Sequence, residues 1–121
     1  MDGIGYFEAV TALCSLEHVG LGRYGDRIGL DGDKEAFTEI NRVLKPGGHL
    51  IFSVPITGGT PVLLFNAQRN YSHYQIRSLC SGMEAVNEKV CKWPEGRELT
   101  FDEIGTTPER WDVYCGCWRK P

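Results

Sequence analysis

Along residues 36–55, AFTEINRVLKPGGHLIFSVP, the spacing of apolar positions changes once, and the rest of the chain is arranged around that change. Ala36, Phe37, Ile40, Val43 and Leu44 recur at three- and four-residue steps, which puts them on one face of an α-helix. Glu39, Asn41, Arg42 and Lys45 fall mostly on the other face. Pro46 cannot continue a helix, and Gly47 and Gly48 accept the left-handed conformation that closes a helix C-terminus. Residues 50–54 are then a nearly unbroken apolar run, the pattern of a strand covered on both faces as in a parallel sheet. Helix, tight turn and doubly buried strand make half of a βαβ unit.

The flanking pattern extends this picture. Residues 7–14 read as a short, mostly apolar strand whose C-terminal end opens into Ser15, Leu16, Glu17 and His18. Ligands of open α/β sheets sit beyond such strand ends, so chemistry is expected there. Residues 56–70 form a long connection, with a turn at Gly58, Gly59, Thr60 and Pro61, and with residues 62–65 as a short strand or a flap. Ser72 and Gln75 have the spacing of a capping box, and Tyr71 and Ile76 sit where a hydrophobic staple would. Ile76, Leu79 and Cys80 face the core of that helix, and Gly82 stops it. Residues 85–91 alternate as a strand, residues 92–109 are polar and irregular, and residues 112–118 are the last strand. The elements predict one α/β domain over residues 1–121. Its mixed sheet has about four strands, mostly parallel, with helices near residues 34–45 and 72–81.

Composition narrows the partners. The chain has 121 residues and a net charge of −3, with no Lys/Arg stripe, which argues against nucleic acid. Its longest apolar runs, such as residues 62–65, are far too short to cross a membrane. The N-terminus lacks the basic start and apolar core of a signal peptide, so a cytoplasmic location is expected. Cys14, Cys80, Cys91, Cys115 and Cys117 read as free thiols. Cys115 and Cys117 point the same way along a strand, but no CxxC or His-rich motif accompanies them. They are read as small buried hydrophobes rather than zinc ligands.

Three further motifs carry competing readings. Gly20, Gly22 and Gly25 match G-x-G-x-x-G, but five residues separate them from the strand and no helix follows at once. A structured loop fits better than a nucleotide cradle. Asp26, Asp31 and Asp33 can hold a hard cation, yet their spacing is not that of an EF-hand. Capping and turn roles are favoured, with Asp33 accepting an N–H from the first turn of a helix that starts near Lys34. Asn66 and Arg69 suit hydroxyl, carboxylate or phosphate groups of a substrate. Alternatively, Asn66 holds its own turn and Arg69 is solvated or ion-paired.

The segment of residues 39–55, EINRVLKPGGHLIFSVP, resembles the helix, turn and fifth strand of class I S-adenosylmethionine-dependent methyltransferases. With SLEHVGLGRYGD (residues 15–26) and FNAQRNYS (residues 65–72), the chain resembles a narrower domain-of-unknown-function family of methyltransferase-like proteins, from about residue 7 to residue 120. The resemblance implies a partial Rossmann-like fold in which residues 7–14 are the fourth strand and the last two strands form an antiparallel pair. It implies S-adenosylmethionine as cofactor, contacted at Cys14, Ser15 and Leu16, and a small polar acceptor, such as a sugar, gripped by Arg23, Tyr24 and Asp26. A hydroxyl acceptor needs a general base, and Glu17 and His18 are the best placed pair for it. The competing reading has His18 packing on the helix and Glu17 pairing with Arg23 or Arg42. Two departures stand out. Residues 27–30 lack the further Asp and prolines of the family loop, and Gln68 replaces a common His, which removes proton transfer there.

The glycine-rich loop and acidic strand end that bind the cofactor in that class are absent. The chain therefore reads as the acceptor-side half of the fold, expected to bind S-adenosylmethionine weakly or not at all by itself. Three readings stay open. One is a methyltransferase part, truncated or completed by another chain. Another is a non-catalytic binding or scaffold module with a retained half-fold. The third is an enzyme of another class working from the Glu17–His18 loop, although no G-x-S-x-G motif supports a hydrolase. In the whole fold the strand of residues 7–14 lies mid-sheet. Here its edge is uncovered, which predicts a homodimer or a partner chain pairing along it.

Overall fold

A computed structural model of the chain describes residues 5–14, 16, 32–59, 61–64, 68–92, 94–106 and 112–121. In chain order these form β1 (Phe7–Leu13), α1 (Gly32–Val43), β2 (Leu44–Ile56), β3 (Val62–Leu64) and β4 (Gln68–Asn70). They continue with α2 (His73–Leu79), β5 (Glu84–Cys91), β6 (Glu98–Leu99), a 3₁₀ turn (Phe101–Glu103) and β7 (Asp112–Arg119). The main sheet has five strands in the order β1-β2-β7-β5-β6, and β3 and β4 pair as a separate hairpin.

The fold is α/β and mixed, as the apolar periods predict. β1 runs parallel to β2, while β7 runs antiparallel to both β2 and β5. Hence β1, β2 and β5 share one direction, and β7 and β6 oppose them. Because β7 lies between β2 and β5, only β1 and β2 form a hydrogen-bonded parallel pair. The fifth strand, β6, is two residues long and falls in the stretch read as irregular, since so short a strand carries no periodicity. The hairpin β3–β4 fulfils the short-strand reading of residues 62–65.

The turn between α1 and β2 differs from expectation. Strand pairing starts at Leu44, directly after the helix. Phe7 lies opposite Leu44 and Ala9 opposite His49, so Lys45, Pro46, Gly47 and Gly48 bulge out against Glu8 alone. Gly47 takes the left-handed conformation expected of it, with φ +83°. The end of α1 is closed from a distance. Lys120 Nζ donates to Asn41 O at 2.7 Å and Leu44 O at 2.9 Å, and Tyr6 N–H donates to Val43 O at 2.7 Å. A lysine ammonium satisfies late helix carbonyls and complements the negative end of the helix dipole.

Burial divides the sheet into two unlike faces. Leu50, Phe52, Val54 and Ile56 of β2, with Tyr114 and Trp118 of β7 and Val90 of β5, form the core on one face. Both helices cover that face. Phe37 of α1 meets Phe52 edge-on at 5.2 Å between centroids, and His73 of α2 lies 6.2 Å from Tyr114. Each fully buried side chain there contributes about 1.5–3 kcal/mol. The other face is open over β1 and at Ile51 of β2, where Leu13 is 69% and Ile51 41% exposed, while Ser53 and Pro55 further along β2 are buried. Double coverage of residues 50–54 therefore fails at Ile51. No helix among the described residues crosses that side.

Helix α2 begins as its sequence dictates. Ser72 Oγ accepts from Gln75 N–H at 3.2 Å, and Gln75 Oε1 accepts from Ser72 N–H at 3.2 Å, completing the capping box. Tyr71 and Ile76 are both buried, Cys80 closes the helix, and Gly82 (φ +87°) ends the turn after it. Replacing Ser72 by Ala removes one half of the box. Urea unfolding is expected to show a loss of about 1 kcal/mol. An unchanged midpoint would mean that packing of Ile76 alone starts the helix.

Candidate functional site

The C-terminal ends of β1 and β2 lie side by side, and the chain gathers its buried polar groups around them. Cys14 leaves β1 with φ +50°, a left-handed backbone that non-glycine residues seldom adopt. Its N–H donates to Ser53 O and to Ser53 Oγ, each at 3.0 Å, and its Sγ lies 3.2 Å from that hydroxyl. These bonds hold the conformation while the Cys14 side remains exposed. Two residues on, Leu16 turns inward and is buried in the core.

β2 ends against the hairpin. Tyr71 N–H donates to Pro55 O at 3.1 Å, and Thr57 N–H donates to Tyr71 O at 2.7 Å, so the chain after β4 runs alongside the end of β2. Tyr71 then reaches α1, its hydroxyl donating to Asp33 Oδ2 at 2.8 Å. Arg69 Nε lies 3.6 Å from the same oxygen, with both side chains almost fully buried. Asp33 Oδ1 accepts from Lys34 N–H at 2.9 Å. Asp33 thus accepts a first-turn N–H as expected, but α1 starts at Gly32 rather than near Lys34, so Asp33 lies inside the helix and not at the cap position ahead of it. Asp33 is also a hub that its capping signature did not reveal.

Of the residues read from the sequence as catalytic, cofactor or acceptor contacts, Cys14, Leu16 and Arg69 are described. Cys14 is at the strand end and exposed, Leu16 packs inward, and Arg69 adopts the ion-paired alternative. Glu17, His18, Ser15, Arg23, Tyr24, Asp26 and Asn66 lie outside the described residues, as do Asp31 and the glycines between residues 20 and 25. Among the described residues no group of three or more His, Cys, Asp or Glu has metal-binding geometry.

A second polar cluster lies on the core face. Tyr114 hydroxyl donates to Glu88 Oε1 at 2.8 Å and accepts from Trp118 Nε1 at 3.0 Å. His73 Nε2 lies 3.0 Å from the same carboxylate oxygen, its ring stacked on Phe101 at 4.3 Å. Burial, reinforced by the Glu88 carboxylate, raises the Tyr114 phenol above its usual range. The same two causes push the Cys80 thiol up to about 12, which makes it an inert core group. This cluster satisfies buried Tyr and Trp polar atoms and ties α2 to β5 and β7. Glu88 and His73 are fifteen residues apart in separate elements, so nothing in the sequence links them.

S-adenosylmethionine presents an amino-acid head and a ribose diol, which need donors and an acidic acceptor. The described residues at the strand ends offer the exposed Cys14, whose N–H is bound to Ser53, and Asp33, which is engaged by Tyr71 and Arg69. That set does not fit the whole cofactor.

Solved structures share the fold at low identity. The chain resembles the 1,6-didemethyltoxoflavin-N1-methyltransferase of Burkholderia thailandensis, solved with 1,6-didemethyltoxoflavin and S-adenosylhomocysteine. The TM-score is 0.66 at 15% identity, covering 99% of this chain and 46% of that one. It resembles the N-methyltransferase NodS of Bradyrhizobium japonicum, in complex with S-adenosylhomocysteine, with a TM-score of 0.57 at 14% identity, over 97% and 47%. The [4+2]-cyclase SpnF matches with a TM-score of 0.62 at 17% identity, over 99% and 51%. The chain thus has a methyltransferase-like fold and spans about half the length of these structures. No curated protein matches its sequence. A family model matches residues 4–107, and on that match the chain belongs to the family described as Caenorhabditis protein of unknown function, DUF268.

Proposed function

We propose that the chain is the acceptor-side half of a S-adenosylmethionine-dependent methyltransferase fold, acting on a small polar acceptor such as a sugar and inactive alone. The observation that carries this reading is Cys14. A strained, exposed residue held by Ser53 ends the parallel pair β1–β2, the place where ligands of open α/β sheets bind. Structural neighbours that hold S-adenosylhomocysteine support the cofactor class. Glu17 and His18 are the proposed base pair, with Arg23, Tyr24, Asp26 and Asn66 as acceptor contacts. A methyl group on sulfonium is already reactive, so the work assigned to these residues is positioning the acceptor and removing its proton.

Calorimetric titration of the chain with S-adenosylmethionine tests the cofactor half of the proposal. Binding weaker than micromolar is expected, because the described residues do not assemble a cofactor site. Micromolar or tighter binding, about −8 kcal/mol or better, would overturn it. Ligand-observed NMR with a panel of monosaccharides tests the acceptor half. Binding that shifts the Cys14 and Ser53 amides is expected, and a panel without a binder removes the sugar.

A non-catalytic binding module is the second reading, and one observation favours it. Arg69, the described residue best suited to grip an anionic substrate, is buried beside Asp33. Saccharide binding by a Glu17→Gln, His18→Gln variant at unchanged affinity would support it over catalysis.

A further inference from the structure

We draw no further inference here: the strongest candidate, the group of thiols Cys14, Cys91, Cys115 and Cys117 on the sheet face opposite the core, carries nothing, because among the described residues they form neither a disulfide nor a metal-binding group and nothing in the structure shows what covers that face.

Discussion

Replacing Asp33 by Ala is expected to lower the unfolding free energy by about 3–5 kcal/mol, a large part of the 5–15 kcal/mol that holds an ordinary domain together. Asp33 is 5% exposed, as is Arg69, whose Nε lies 3.6 Å from the carboxylate. Removing one member of a buried ion pair leaves the other's charge in a medium that solvates it poorly. The substitution also takes the acceptor from the Tyr71 hydroxyl, which bonds it at 2.8 Å. Tyr71 anchors the hairpin to the end of β2 through Pro55 and Thr57, so the loss spreads from α1 to the strand-end site. Urea denaturation gives the magnitude. Asp33→Asn keeps an acceptor for Tyr71 and should lose less than Asp33→Ala. The double change Asp33→Leu, Arg69→Met removes the stranded charge and should recover more than half of the loss. A loss below about 1 kcal/mol for Asp33→Ala would show that the pair contributes little, as surface pairs do.

Gly116→Val should destabilise by about 3 kcal/mol, through overpacking and broken hydrogen bonds together. Gly116 lies in the middle of β7, and a Cβ built there would overlap the Tyr114 hydroxyl and ring. The phenol leans over the glycine to reach Glu88 on one side and Trp118 Nε1 on the other. A valine displaces the ring, and both hydrogen bonds are lost with it. Trp118 fluorescence and urea unfolding report the two consequences separately. In a Tyr114→Leu background the same valine meets a shorter side chain, and its effect should shrink by at least half. An undiminished effect would place the strain in the strand backbone instead.

These two positions also mark what the sequence could and could not disclose. The periods of residues 36–55 identify α1 and β2 because apolar spacing is a local signal, and the Ser72–Gln75 box identifies the start of α2 for the same reason. Cys14 was legible as a strand-end residue because β1 is a short apolar run that simply stops. Asp33, by contrast, carried the mark of a helix cap, and its partners Arg69 and Tyr71 lie 36 and 38 residues away. Pairing across such separations depends on topology, which single-residue chemistry does not encode. Gly116 looked like part of a C-G-C spacing, whereas its reason is a neighbouring tyrosine that needs the space. Ile51 looked buried because an apolar residue in an apolar run gives no sign of which sheet face lacks a covering layer. Glu17, His18 and the acceptor contacts stay at the level of resemblance, since they fall in residues 17–31 and 65–67.

The place of β7 has a consequence for how the chain is made. It follows every other strand of the sheet in sequence, yet it occupies the third position, between β2 and β5. Until its residues leave the ribosome, β2 and β5 have no strand to join them, and Tyr114 and Trp118 are missing from the core. Synthesis at about 5–20 residues per second leaves the earlier segments waiting for seconds with apolar faces uncovered. Folding of the main sheet is thus a late event, governed by non-local pairing rather than by growth from the N-terminus. A pause or premature stop before Asp112 leaves the main sheet split into the separate β1–β2 and β5–β6 pairs, the kind of species that chaperones capture.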